Sequence, residues 1–171
     1  GWYFQKAVSA DTSTVSNVSV TNTTFNHNNH KGLYTEKLTD ADFVDCTFDQ
    51  NGFDASVLPS YFQPWSAGVD INLKAGTYQN INFYNPIVTN NATGGVREGA
   101  GMMFKARDDG ASYGSFPATL THVLVTGGTI TGNERGIFFG EPGKDNAGPS
   151  NIEVSYTGFA NNVPVYTGGD A

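Results

Sequence analysis

A motif that recurs five times along the chain limits what this sequence can fold into. The motif has apolar residues at its first, third and eighth positions, and an asparagine stands three residues after the last of them. Its copies align without gaps over residues 18–25, 41–48, 81–88, 123–130 and 152–159. The asparagines that follow these copies are Asn28, Asn51, Asn91, Asn133 and Asn162. Repetition of this kind predicts a stack of similar units with one continuous core.

A second, shorter motif alternates with the first and begins with a glycine that apolar residues follow. Its copies begin at Gly32, Gly68, Gly101 and Gly136, and Gly1 fits the same template. The first motif starts at positions 18, 41, 81, 123 and 152, in steps of 23, 40, 42 and 29 residues. No helix of fixed length fits these steps. A minimal turn of 23 residues, enlarged by loops near 52–67, 92–100, 108–119 and 142–149, accounts for them.

The composition agrees with a β structure and excludes several classes of function. Only 15% of the 171 residues are charged, and Ala, Leu, Glu and Lys are scarce, which excludes a helical bundle. The net charge of −7 would repel a nucleic acid. No apolar stretch is long enough to cross a bilayer, so we expect no membrane insertion. The lone Cys46 cannot form an internal disulfide, and we expect it to be buried.

The alternating motifs resemble the right-handed parallel β-helix of the pectate-lyase-like superfamily, whose coils stack apolar residues and turn asparagines. The resemblance spans essentially the whole chain and implies an all-β solenoid of about five coils with variable loop insertions. We expect a single domain over residues 1–171 that is excised from, or continues into, a longer protein. Equivalent residues of successive coils lie about 4.8 Å apart in such a stack. Phe25 and Phe48 should therefore belong to one apolar column, and the asparagines to one ladder.

Strand alternation divides the glycine motif into an inward and an outward side. If Leu33, Val69 and their equivalents point inward, three rows of neighbouring residues point to solvent. These rows are Tyr34, Asp70, Met103 and Phe138; Glu36, Asn72, Lys105 and Gly140; and Leu38, Lys74, Arg107 and Pro142. The sequence thus predicts an exposed ligand-binding groove of mixed charge. Its predicted residues are Glu36, Asp70, Asn72, Lys74, Lys105 and Arg107.

The groove has a structural and a functional interpretation. Opposite charges on an exposed sheet can simply balance one another. The resemblance implies, alternatively, that Lys105 or Arg107 neutralises a uronate carboxylate while Tyr34 or Lys74 removes a proton. These four residues are the candidate catalytic residues. The sequence leaves both interpretations open.

Two loop segments offer further contacts. Tyr61 and Trp65 could stack on a sugar ring, or could form the small core of their own loop. Asp108 and Asp109 place two carboxylates beside a turn glycine, which suits Ca²⁺, although the usual alternating Asp pattern is absent. No cofactor is otherwise required.

The sequence therefore predicts an extracellular or cell-surface scaffold for carbohydrate recognition or for end-to-end assembly. Neither terminus shows a polar cap, so open β-helix ends should favour self-association. The expected partners are an acidic polysaccharide and further copies of the chain. The alternative is a fragment of a polysaccharide lyase or uronate epimerase that acts on an acidic polysaccharide. Because both functions share this fold, the fold cannot choose between them.

Overall fold

Residues with a left-handed backbone divide the chain into short strands. Within each coil they recur at intervals of five residues, with φ between 47° and 71°. These residues are Asn17, Asn22, His27, Asp40, Asp45, Gln50, Asn80, Asn85, Asn90, His122, Gly127, Gly132, Asn151 and Tyr156. Asparagine, aspartate and glycine adopt this conformation at low cost. A chain rich in these residues can therefore turn sharply after every short strand.

The computed structural model describes residues 1–60, 65–93, 99–140, 148–161 and 163–167, and its strands form three parallel sheets. Sheet A contains β1 (Trp2–Phe4), β4 (Lys31–Thr35), β7 (Ala67–Leu73), β10 (Ala100–Ala106), β13 (Arg135–Phe139) and β16 (Val163–Thr167). Sheet B contains β2 (Val18–Thr21), β5 (Ala41–Val44), β8 (Gly76–Tyr84), β11 (Ala118–Thr126) and β14 (Ser150–Ser155). Sheet C contains β3 (Thr24–Asn26), β6 (Thr47–Asp49), β9 (Ile87–Thr89), β12 (Thr129–Thr131) and β15 (Gly158–Ala160).

Each sheet takes strands from successive coils, which confirms the predicted all-β, right-handed parallel β-helix. The described residues contain little helix: a 3-10 helix at Ala55–Val57 and α1 at Gly110–Gly114 are its two complete elements. None of the described helices is long and apolar enough to cross a membrane.

The connections between the sheets differ in length. Two residues always join a strand of sheet B to the next strand of sheet C, as at 45–46 and 85–86. The connections on either side of sheet A range from the pair 74–75 to the segment 50–66. All the long loops therefore leave the β-helix at the edges of sheet A.

The interior is built from stacked columns, as predicted. Phe25 pairs with Phe48, and the column continues through Val88, Ile130 and Phe159. The rings of Phe25 and Phe48 stack with centroids 4.9 Å apart. Cys46 is buried in the same core, which confirms its predicted position.

The predicted asparagine ladder is present, with one correction. The Oδ1 atom of Asn91 accepts hydrogen bonds from N and Nδ2 of Asn51, both at 3.0 Å, and Asn133 accepts equivalent bonds from Asn91. The last rung is Asn161, whose Oδ1 accepts two bonds of 3.0 Å from Asn133. The prediction of Asn162 for this rung is wrong because the last turn is one residue shorter; Asn162 itself lies outside the described residues.

The ladder also explains the glycines of the second motif. A Cβ atom on Gly68 would lie 2.7 Å from the carbonyl oxygen of Gly101 and 2.9 Å from Cγ of Asn91. Such contacts are too short for any side chain, so only glycine lets sheet A pack this closely against the ladder. The residues before the glycines lie on the outer side of sheet A, where Ala67 and Ala100 pack with Met103.

Candidate functional site: a covered charged face

The outer side of sheet A carries the charged side chains in the register that the sequence predicts. The first row consists of Tyr34, Asp70, Met103 and Phe138, which pair in parallel from β4 to β13. In the second row, Asn72 pairs with Lys105. The structure therefore brings the predicted groove residues of β4, β7 and β10 onto one face, which we call the charged face.

The prediction that this face is exposed is wrong. The exposed fraction is 1% for Glu36, 0% for Asp70 and 3% for Lys105. Leu38, assigned to the outward side, is fully buried in the core and pairs with Val15. Pro142 lies outside the described residues. The charges are thus removed from water, where an ion pair matters more than on an open sheet.

Aromatic side chains from the loops beside sheet A cover the charged face. The ring of Trp65 lies 5.3 Å from Nζ of Lys105. The ring of Tyr113, in α1, lies 4.4 Å from the guanidinium carbon of Arg107. The half-buried Trp65 thus contacts a lysine of the face, and Tyr61, its predicted stacking companion, lies outside the described residues. Stacking of these residues on a sugar stays a prediction.

Two lysines converge on one carboxylate at the centre of the charged face. Nζ of Lys31 lies 2.6 Å from Oδ2 of Asp70, and Nζ of Lys105 lies 3.0 Å from Oδ1. Burial disfavours the charged form of Asp70, yet the two lysines hold the pKa of its carboxyl below its ordinary value. Burial lowers the pKa of Lys31.

A hydrogen-bonded network lies next to this cluster. Nδ2 of Asn72 donates to the hydroxyl of Tyr34 at 3.1 Å, and that hydroxyl donates to Oε1 of Glu36. Nζ of Lys74 contacts the same oxygen. Burial, together with the charge of Asp70 and the bond to Glu36, raises the pKa of Tyr34 above its ordinary value. This environment works against Tyr34 as a base, because its phenol is held neutral as a donor.

The carboxylates proposed for calcium have a different arrangement. Oδ1 and Oδ2 of Asp109 accept hydrogen bonds from Nε and Nη2 of Arg107 at 2.8 and 3.2 Å. Among the described residues, no three His, Cys, Asp or Glu side chains lie together as a metal site requires. A calcium ion at Asp108 and Asp109 would have to compete with the Arg107 guanidinium, and it stays a prediction.

The charged face opens to solvent at one edge, in a cleft of about 190 Å³. The cleft is lined by Gln5, Lys6, Ala7, Val8, Ser9, Glu36, Lys74 and Tyr113. Nζ of Lys74 lies 5.4 Å from the centroid of Tyr113, and its side chain is 17% exposed. Lys6 donates from its backbone N to Oε2 of Glu36 at 2.9 Å. The cleft thus combines ammonium groups, a carboxylate and an aromatic ring.

Residues 7–108 match the family model described as a right-handed beta helix region. The chain belongs to the right-handed β-helix family. No curated protein and no solved structure matches it. The match supports this β-helix as a scaffold in general, and the charged side chains from Lys31 to Arg107 lie within the matched range.

Sequence analysis missed Lys31, which lies on the charged face of this β-helix, and Lys6 and Tyr113, which lie beside it. Simple alternation places Lys31 on the inward side with Leu33, whereas its ammonium group contacts Asp70 on the outer side. The glycine motif itself could have given this signal. Lys6 and Tyr113 belong to loops that do not repeat, so periodicity gives no information about their positions.

Proposed function

We propose that the protein is an extracellular or cell-surface β-helix scaffold that recognises acidic carbohydrate at the cleft beside its charged face. The observation that carries the proposal is the grouping of Lys74, Glu36 and Tyr113 around one opening. An ammonium group attracts a sugar carboxylate, a carboxylate accepts hydrogen bonds from sugar hydroxyls, and an aromatic ring packs against the apolar face of a sugar. Binding of this kind requires no cofactor.

The distribution of charge supports an acidic ligand. The chain has a net charge of −7 and nine Lys and Arg residues, yet at least five of these lie on or beside the charged face. These five are Lys6, Lys31, Lys74, Lys105 and Arg107. These five cations outnumber the three carboxylates that they contact, Glu36, Asp70 and Asp109. In a protein that is acidic as a whole, this local excess favours the approach of an anion to this face.

A second groove is less suited to an acidic ligand. It lies on the outer side of sheet B, has a volume of about 460 Å³ and is lined by Asn17, Val18, Ser19, Asp40, Ala41, Asp42, Asn80 and Asn82. Although it is larger, its ionisable lining residues are the two aspartates, which would repel a carboxylate. We therefore place recognition at the smaller cleft.

The catalytic alternative, a polysaccharide lyase or uronate epimerase, has weaker support. Its candidate bases are Tyr34, whose hydroxyl is a buried donor to Glu36, and Lys74, whose ammonium contacts the same carboxylate. A general base must be deprotonated and within reach of the substrate. Lys105 and Arg107, the candidate neutralising cations, are buried and contact Asp70 and Asp109. Binding is better supported than catalysis, because it does not require Tyr34 or Lys74 to be deprotonated.

Affinity electrophoresis through gels that contain alginate or polygalacturonate, with neutral dextran as the reference, tests the proposal. We expect retardation by the acidic polymers that weakens as salt is added, because salt screens the attraction between the polymer and the lysines of the cleft. Tyr113→Ala should weaken binding about tenfold, since an aromatic contact contributes about 0.5–1.5 kcal/mol.

The matched control is Phe116→Ala, which removes an exposed aromatic residue close to α1 but outside the cleft. It should bind as the wild type does. Equal retardation by dextran, or full binding by Tyr113→Ala, would contradict the proposed site. Release of unsaturated sugar products that absorb in the ultraviolet would favour the lyase instead. Self-association through the terminal strands stays a separate prediction.

A further inference from the structure

The cluster of Lys31, Asp70 and Lys105 contains one more lysine than an ion pair needs. Two ammonium groups lie against one carboxylate, with contacts of 2.6 and 3.0 Å. The exposed fractions of the three side chains are 6%, 0% and 4%. With all three groups ionised, the cluster would carry a net positive charge out of water, which is costly.

From this geometry we propose that Lys31 and Asp70 form an isopeptide bond, an amide that joins Nζ of Lys31 to Cγ of Asp70. Because Lys31 lies in β4 and Asp70 lies in the adjacent β7, the bond is a covalent rung between neighbouring coils. This modification goes beyond the proposed binding function, whose cleft is lined by other residues.

The bond forms by condensation with loss of one water molecule. The ammonium group of Lys105 first protonates the carboxylate of Asp70. The neutral amine of Lys31 then attacks the carboxyl carbon, which forms the C–N bond and breaks one C–O bond. The departing oxygen carries the proton from Lys105 and takes a second one from the attacking amine. The products are a neutral amide, water and a neutral Lys105 amine. No oxidant, reductant or other co-reactant is needed.

The surroundings supply the groups that this step needs. Burial lowers the pKa of Lys31, which favours the unprotonated amine that a nucleophile needs. The lysines lower the pKa of Asp70, which disfavours its neutral form, so the proton that the attack requires must come from a neighbour, and the Lys105 ammonium is in contact with Oδ1. The rigid β strands hold the reacting groups together, which replaces a bimolecular encounter by an intramolecular one.

The cluster is also shielded from water. The ring of Tyr34 lies 4.3 Å from Nζ of Lys31 and covers the cluster. Exclusion of water protects the product from hydrolysis, and the amide removes two buried charges.

The intact mass of the full chain, measured by mass spectrometry under denaturing conditions, tests the proposal. We expect the wild type to weigh one water less than its sequence mass. Proteolysis should yield a branched peptide that joins Lys31 to Asp70, because trypsin does not cleave after a modified lysine. Lys31→Met should have its full sequence mass, whether or not this variant folds.

Lys37→Met is the matched control, because Lys37 follows the same strand but contacts Ser13 outside the cluster. It should show the same deficit as the wild type. Lys105→Met should form the bond more slowly, since it lacks the proton donor. A wild type of full sequence mass would overturn the proposal, and so would a branched peptide that joins Lys105, rather than Lys31, to Asp70.

Discussion

The asparagine ladder and the charged face are both buried and polar, yet they are built in opposite ways. In the ladder, neutral amides repeat from coil to coil, and Asn51, Asn91 and Asn133 each donate and accept within it. On the charged face the groups do not repeat. Lys31 and Lys105 share one carboxylate, and Oδ1 of Asn72 is buried without a hydrogen-bond partner.

This difference separates residues that hold the fold from residues that are available for chemistry. A polar network in which every group is satisfied stabilises one structure and leaves nothing for a ligand. A network with surplus charge and an unpaired acceptor is costly to the fold and is typical of functional sites. Three variants sharpen the comparison.

The largest effect should come from breaking the ladder with Asn91→Leu. This change removes the acceptor for N and Nδ2 of Asn51 and the donor to the carbonyl of Phe48. Each buried group that loses its partner costs about 1–3 kcal/mol, so we expect unfolding to become easier by about 4 kcal/mol. Urea denaturation measures this change. Asn28→Leu, at the half-buried first rung, should cost less, and a loss below about 1 kcal/mol for Asn91→Leu would show that the ladder does not stabilise the fold.

A smaller effect should appear at alkaline pH and depend on Tyr78. Its hydroxyl donates to the carbonyl of Lys74 at 2.6 Å, and burial, followed by the charges of Asp11 and Glu36, raises its pKa. The resulting stability is present below the ordinary tyrosine pKa of about 10 and is lost as the pH rises through the higher pKa of the folded state. Relative to Tyr78→Phe, the wild type should therefore lose about 1.4 kcal/mol per pH unit above about pH 10.

Urea denaturation between about pH 8 and pH 12 would measure the dependence on Tyr78. Tyr156→Phe, which alters a fully solvated ring, is the control and should follow the wild type. Parallel curves for Tyr78→Phe and the wild type would mean that the Tyr78 hydroxyl does not contribute to this pH dependence.

The smallest effect should be a gain in stability from Tyr156→Asn. Tyr156 is 94% exposed and has a left-handed backbone with φ of 54°, at the turn position that Asn85 and Gly127 fill in the two preceding coils. Because asparagine tolerates this conformation better, the substitution should stabilise the fold by about 1 kcal/mol. A thermal melt would detect the rise, and an unchanged or lower midpoint would argue against strain at this turn.

The sequence predicts the periodic part of the molecule well. The column from Phe25 to Phe159 and the register of Tyr34 with Asp70 follow from spacing alone, because equivalent residues of a parallel stack must pair. The last rung of the ladder was misplaced by one residue, at Asn162 instead of Asn161. A motif aligned without gaps cannot reveal that a turn has shortened.

The same reasoning predicted the members of the charged face but not its burial. Asn72 and Lys105 were correctly placed side by side, since both follow the period of sheet A. Their cover comes from loops that carry Trp65 and Tyr113, and these loops share neither length nor sequence. The repeated motifs therefore give no information about whether these loops bury the charged face.

The constant two-residue turns between sheets B and C have an evolutionary consequence. Insertions and deletions are confined to the margins of sheet A, so every gain in chain length changes the cover above that sheet and leaves the stacked coils in register. A lineage with this architecture can exchange its loops without disturbing the stacking of its core.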